Sequence, residues 1–170
     1  VRHGADLAAL FAGPESDFQA RVATLRKQIA QDLGFLMPRV HVSQRADLAG
    51  DAYEILFHGN RVGGGELMLD HVLAINPGGT RARLEGRETR DPAYGLPAQW
   101  VERSARQAAR AAGYTLVDPD TVLMTHLGEL LKRQSAELLT RSGVERMLQR
   151  VREQHGSLID ELVPAVLSYS

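Results

Sequence analysis

Two residue patterns divide this chain, and their order constrains the fold more than any other feature of the sequence. Up to residue 117, one helical stripe and several short alternating runs follow one another, separated by glycine and proline. From residue 118 onward the pattern is helical. The sequence therefore predicts an α+β fold followed by an all-helical segment, because short strands and helices that alternate in this way pack as small mixed layers.

The helical stripe marks the first long helix. Its apolar residues recur every three or four positions, at Phe18, Val22, Leu25, Ile29 and Leu33. We expect Ser16 to cap this helix and Gly34 to end it. Strands are predicted over 40–42, 53–57, 61–68, 72–75, 98–101 and 114–117, and an exposed loop or hairpin over 80–90. Further helices are predicted over 102–112, 118–140, 144–154 and 158–167, with Gly143 and Gly156 separating the last three.

Composition excludes several classes of function. The 170 residues carry 20 basic and 21 acidic side chains, and this balance argues against a nucleic-acid partner. Cysteine is absent, which excludes disulfides, thiolate metal sites and cysteine nucleophiles. No histidine has a histidine partner at a helical ligand spacing, so we expect no metal. The glycine strings at 63–65 and 76–79 match neither a phosphate loop nor a dinucleotide motif, and we expect no cofactor. Because the chain begins with Val1, we expect it to be a fragment or a processed product.

The string Asp118-Pro119-Asp120 allows two interpretations. After a buried strand, two aspartates at this spacing resemble the loop of an Asp-nucleophile phosphatase, with Asp118 as nucleophile and Asp120 as acid/base beside Mg²⁺. The same residues suit a helix start, with Asp118 as N-cap and Pro119 at the first helical position. The helix start is favoured because Lys132, the lysine a phosphatase would need, falls on the same predicted helix and no paired carboxylates follow.

Glycine, histidine and tyrosine mark three further positions. The run 63–65 inside a predicted strand indicates a bulge or a close approach of another stretch of backbone, and 76–79 indicates a turn. His126 is expected to form a hydrogen bond on its helix face or to pack as a buried imidazole. Tyr94 lies in a short segment bounded by Pro92 and Pro97, where it either binds a partner or fills the edge of its own core.

Several strings occur together in a fixed order. They are Ile75-Asn76-Pro77-Gly78, Asp91-Pro92-Ala93-Tyr94-Gly95-Leu96-Pro97-Ala98-Gln99-Trp100-Val101, Gly113-Tyr114-Thr115-Leu116-Val117-Asp118-Pro119, Thr121-Val122, Thr125-His126-Leu127, Ser135-Ala136-Glu137-Leu138-Leu139 and Glu161-Leu162-Val163-Pro164. As a set they resemble the cytosolic domain of the FlhA/SctV (LcrD-like) export-gate family of type III secretion. The resemblance extends from about Phe18 to the end of the chain.

The resemblance implies a division into subdomains. Residues 1–69 and 119–138 would form a first, discontinuous α+β subdomain, 70–118 a second small α/β subdomain inserted into it, and 139–170 the start of a helical third. The family forms a nine-membered homo-oligomeric ring at the cytoplasmic face of the bacterial inner membrane, beside other proteins of the export apparatus. Its membrane region and its fourth subdomain would be absent from this chain.

The resemblance also implies a function and a binding site. Family members dock chaperone–substrate complexes and are not enzymes, and their docking residues match Asp91, Tyr94 and Thr125 here. Tyr94 replaces the usual phenylalanine, which makes the hydrophobic site less apolar. We expect Asp91 to fix orientation by hydrogen bonds or charge pairing and Tyr94 to be the anchor. Relatives commonly carry serine at the position of Asp120, which a helix start tolerates and a phosphatase does not.

Four interpretations of function remain open at this point. The flagellar branch of the family is favoured on the strings around residues 66–78 and 91–96. An injectisome homologue with the same ring role is the first alternative. The other two are a ring-forming scaffold without chaperone affinity and the Asp-nucleophile phosphatase.

Overall fold

The computed structural model describes residues 1–13, 16–34, 37, 39–78 and 84–155, and the side chains of residues 154 and 155 are not described. The chain divides into two compact units, Val1–Leu131 and Lys132–Ser170. The strands are β1 (Arg2–His3), β2 (Ser43–Gln44), β3 (Ala52–Phe57), β4 (Asn60–Glu66), β5 (His71–Ile75), β6 (Arg87–Arg90), β7 (Pro97–Glu102) and β8 (Thr115–Val117). The α-helices are α1 (Ala8–Phe11), α2 (Phe18–Leu33), α3 (Arg106–Ala111) and α4 (Pro119–His155). This mixture of small sheets and helices confirms the predicted α+β class.

The first sheet has the strand order β2-β1-β3-β4 and is built on a hairpin. β3 and β4 pair antiparallel, with a register shift between Ile55 and Leu56. They are joined through His58 and Gly59, whose φ angles are +51° and +78°. Two consecutive positive φ angles match the twist of a two-residue hairpin, which is why glycine follows His58. The strands predicted over 53–57 and 61–68 are therefore confirmed as the two arms of a hairpin.

Helix α2 packs its predicted stripe into the main core. Phe18, Val22 and Ile29 are buried there. The helix ends where Gly34 takes a left-handed conformation with a φ of +78°. The predicted cap at its start is wrong, because Asp17 occupies the N-cap position and the hydroxyl of Ser16 donates to the carbonyl of Leu10 at 2.7 Å.

The glycines of β4 allow α4 to lie directly on the first sheet. A Cβ atom at Gly63 would lie 2.7 Å from Cδ1 of Leu130 and 3.0 Å from Nε2 of His126. Both of these residues belong to α4. Of the two alternatives predicted from the glycine run, the structure shows the bulge, because the register passes from Gly63 to Arg61 and leaves Val62 unpaired in it, whereas the atoms that approach Gly63 belong to side chains.

The second sheet has the order β6-β7-β5-β8 with all neighbours antiparallel. One face places Leu73 and Trp100 in the same core cluster as Tyr53 of the first sheet. The opposite face packs Val72 and Val101 against α3 in a smaller cluster. The first sheet and one face of the second therefore share a single hydrophobic core.

Two predicted elements differ from the structure. The strand predicted at 40–42 lies at 43–44 instead, because β2 pairs in parallel with β1, a partner at the start of the chain that no local pattern reveals. The predicted break at Gly143 is also wrong, because α4 is helical through this residue. One glycine costs a helix only about 1 kcal/mol relative to alanine, since its backbone hydrogen bonds remain.

The remaining predictions depend on the extent of the described residues. The predicted helix 158–167 and the string 161–164 lie outside them. Within the described residues, the polar segment 80–90 contributes β6, whose four residues are exposed and which pairs with β7. The subdomain boundaries at 69, 118 and 138 stay a prediction. Among the helices described, none combines the length and the apolar character required to cross a bilayer.

Candidate binding site at the Asp91–Gly95 turn

A short turn between β6 and β7 carries two of the predicted site residues. The carboxylate of Asp91 accepts a hydrogen bond from the backbone N–H of Tyr94 at 3.0 Å. The backbone N–H of Gly95 donates to the carbonyl of Asp91 at 2.7 Å, and Gly95 has a φ of +71°. Asp91 is buried, so its carboxylate holds the turn from inside. The turn is therefore a stable platform for the side chain of Tyr94.

The ring of Tyr94 projects from this platform. The residue is 61% exposed, so the alternative that it fills the edge of its own core is wrong. Its hydroxyl donates to Oε1 of Glu129 on α4 at 3.2 Å. Partial burial raises the pKa of the Tyr94 hydroxyl, and the charge of Glu129, this hydrogen bond and the charge of Asp91 raise it further. The hydroxyl therefore stays protonated and remains a donor at neutral pH.

The third predicted residue, Thr125, lies on α4 near this contact. It is half-buried and precedes Glu129 by four residues, so the two share one face of the helix. The structure thus joins Asp91 and Tyr94 directly and sets Tyr94 against the helix face that carries Thr125. We call Asp91, Tyr94, Thr125 and Glu129 together the Tyr94 patch.

Glu129 is the member of the Tyr94 patch that the sequence did not reveal. Its spacing from Thr125 is a helical one, and this was the only available signal. The pairing with Tyr94 joins residues 35 positions apart, and no local pattern predicts such a contact.

A buried polar pair lies close to the turn. The hydroxyl of Tyr53 on β3 lies 2.6 Å from Nδ1 of His126 on α4. Burial raises the pKa of Tyr53 well above its ordinary range, and the negative charge of Asp91 raises it further. His126 is therefore a buried, hydrogen-bonded imidazole, as the sequence predicted.

The two aspartates at the start of α4 are engaged in ion pairs. The helix begins at Pro119, with Asp118 in the preceding position. The carboxylate of Asp118 lies 3.1 Å from Arg106, and that of Asp120 lies 3.1 Å from Arg21. Asp120 also accepts from the backbone N–H of Thr121 at 2.8 Å. In the part of the chain that the structure describes, no group of three metal-ligating side chains is brought together. Two aspartates held in ion pairs at the first turn of α4 suit a helix start, where negative charge is favourable.

Comparison with known proteins gives one family over the entire chain. The model of the FHIPEP family matches residues 1–170. "Flagellar biosynthesis protein FlhA" of Salmonella typhimurium is 40% identical over 161 residues, which cover 91% of this chain and 23% of that protein. The protein of the same name from Bacillus subtilis is 36% identical over 152 residues, which cover 89% of this chain and 22% of that protein. The chain thus spans less than a quarter of these curated relatives.

Two solved structures share the fold. The Chlamydia pneumoniae CdsV protein superposes with a TM-score of 0.66 and 25% identity, over 95% of this chain and 49% of that one. The nonameric SctV-C of EPEC superposes with a TM-score of 0.52 over 95% of this chain and 47% of that one. At 14% identity the latter likeness concerns the fold alone.

Proposed function

The chain belongs to the FHIPEP family, and from this membership we propose that it is a docking module of a type III protein-export gate. The observation that carries the proposal is the Tyr94 ring, which is 61% exposed on a turn held from inside by Asp91. A large amphipathic ring that is exposed and already ordered binds a partner at low entropic cost.

The proposed ligands are export chaperones carrying their substrates. Tyr94 would be the anchor, because a few residues near the centre of an interface, often aromatic ones, contribute most of the binding free energy of that interface. Asp91 would act by holding the turn, since its carboxylate already accepts the N–H of Tyr94. Thr125 would border the contact on α4.

We favour the flagellar branch of the family for this chain. The relatives at 36–40% identity carry the name of a flagellar biosynthesis protein. An injectisome homologue with the same ring role remains the alternative. A panel of chaperones from both systems separates the two branches.

The ring and its position in the cell are part of the same proposal. We expect the protein to form a homo-oligomeric ring at the cytoplasmic face of the inner membrane, with other proteins of the export apparatus as neighbours. SctV-C, which shares the fold of this chain, is nonameric and is the precedent for the proposed ring. We propose no enzymatic activity and no cofactor, and the ion pairs of Asp118 and Asp120 support a helix start over a phosphatase nucleophile.

Isothermal titration calorimetry tests the docking proposal. The 170-residue chain is titrated with late flagellar export chaperones loaded with their substrates, and saturable binding is expected. Tyr94→Ala should weaken this binding about thirtyfold or more, as expected for an aromatic anchor. Met147→Ala is the matched control, because this side chain is also apolar and is 65% exposed.

Two outcomes contradict the docking proposal. The first is unchanged affinity in a folded Tyr94→Ala variant, which would remove the site assignment. The second is self-association in analytical ultracentrifugation without chaperone affinity, which would favour a scaffold.

A further inference from the structure

The carboxylate of Glu129 accepts one hydrogen bond from the described chain and forms no ion pair with it. Oε1 accepts the hydroxyl of Tyr94 at 3.2 Å. No ion pair among the described residues includes Glu129, although it lies only partly buried on α4. One oxygen therefore holds the ring of Tyr94, and the charge of the group has no cation of the described chain paired to it.

No ion pair of the described residues joins Glu129 to Lys132 or Arg133, the cations that follow it by three and four residues on α4. Asp91 carries a second negative charge beneath the turn and accepts only backbone N–H groups among its described hydrogen bonds. Arg90 adjoins the turn, but its guanidinium donates to the carbonyl of Gly95 at 2.9 Å. Desolvation raises the pKa of Tyr94 most, and the negative charges of Glu129 and Asp91 raise it further. An exposed aromatic ring beside these charges attracts a cation.

We propose that Glu129 is a specificity-determining residue of the docking site, which recognises an arginine or lysine side chain of the partner. This inference rests on the proposed docking function. The partner's aliphatic stem would pack on the Tyr94 ring, and its cationic head would pair with the carboxylate of Glu129. A docking segment with a neutral or acidic side chain at this place would leave Glu129 without a cation.

Glu129 could instead act only through Tyr94, by holding its ring in one orientation. Tyr94→Phe separates these roles, because it removes the hydroxyl and keeps the ring. If Glu129 recognises a cation directly, Glu129→Gln weakens binding as much in combination with Tyr94→Phe as in the unaltered chain. If Glu129 only holds the ring, Glu129→Gln has no further effect once the hydroxyl is gone.

The experiment measures association and dissociation rates of late flagellar chaperone–substrate complexes on the immobilised 170-residue chain. Measurements at about 50 mM and about 300 mM NaCl give the salt dependence. Glu129→Gln is expected to weaken binding about three- to tenfold, mainly through slower association, and to reduce the salt dependence. Glu145→Gln is the matched control, since it makes the same change at an exposed position on the same helix.

The inference is supported if Glu129→Gln lowers the affinity in a salt-dependent way, and lowers it equally when Tyr94→Phe is also present. If Tyr94→Ala abolishes binding while Glu129→Gln leaves affinity and salt dependence unchanged, the docking function stands and the role of Glu129 is overturned. If the unaltered chain binds none of the complexes, both proposals are overturned.

Discussion

Tyr53 and His126 join the first sheet to α4 through a contact of 2.6 Å between the Tyr53 hydroxyl and Nδ1 of His126. The two rings meet edge to face, with centroids 5.7 Å apart. Both residues are buried, so the contact is shielded from water. This contact anchors α4 to the sheet at His126, which lies within one helical turn of both Thr125 and Glu129.

Tyr53→Phe should destabilise the protein by about 1–3 kcal/mol, because it removes the hydroxyl partner of a buried imidazole. Urea unfolding followed by circular dichroism measures the change. Tyr94→Phe removes an exposed hydroxyl and should alter the free energy of unfolding by less than about 0.5 kcal/mol. If the two variants changed the free energy of unfolding equally, the buried contact would contribute no more to stability than the exposed one.

Stability should fall as the pH rises above about 10, where tyrosines of the unfolded chain lose their protons. Burial raises the pKa of Tyr53 in the folded chain, so the folded state keeps this proton while the unfolded state releases it. The contribution is complete below about pH 10 and is lost at about 1.4 kcal/mol per pH unit above it. Urea unfolding from about pH 9 to about pH 11 should show a shallower decline for Tyr53→Phe. Identical slopes would contradict the assignment.

Gly63→Ala should destabilise the first unit by about 1–3 kcal/mol, because the added methyl group would press on Leu130 and His126. Gly143→Ala is the contrasting variant, since nothing lies within 4 Å of the added methyl group in that helical position. It should stabilise the helix by up to about 1 kcal/mol. Thermal unfolding of the two variants measures the expected loss and the expected gain of stability. Unchanged stability in Gly63→Ala would mean that α4 can move away from β4.

Asp118→Ala should cost about 0.5–2 kcal/mol, because it removes the carboxylate of the residue that precedes α4 and its ion pair with Arg106. Asp118→Asn should retain most of the stability, since asparagine also favours the N-cap position. Chemical denaturation measures these changes. Assays with a phosphoester and Mg²⁺ should give no turnover with the unaltered chain. Turnover that Asp118→Asn abolishes would revive the phosphatase interpretation.

Elements with a strong local pattern could be predicted from the sequence. The stripe from Phe18 to Leu33 predicted α2, and the glycine run 63–65 predicted the bulge in β4. The pairing of β1 with β2 could not be predicted, because it joins two-residue segments that lie far apart along the chain. Such short parallel pairs depend on tertiary placement rather than on alternation.

The residues of the candidate site also fall into those that the sequence predicted and those that only the structure revealed. The proline-bounded segment pointed to Tyr94, and the resemblance to a family added Asp91 and Thr125. Glu129 was missed because its role depends on where α4 passes the turn, which only the folded chain determines. The exposure of Tyr94 also required the structure, since the sequence allowed a buried ring equally well.

The core shared by the two sheets has a consequence for protein engineering. Trp100 and Leu73 of the second sheet lie in the same cluster as Tyr53 and Leu127. A shortened chain that joins residue 69 to residue 119 would leave the large side chains of the first sheet facing water, so we expect it to aggregate. Exchange of segment 70–118 between homologues should preserve solubility only if the inward-facing side chains are exchanged together with their counterparts.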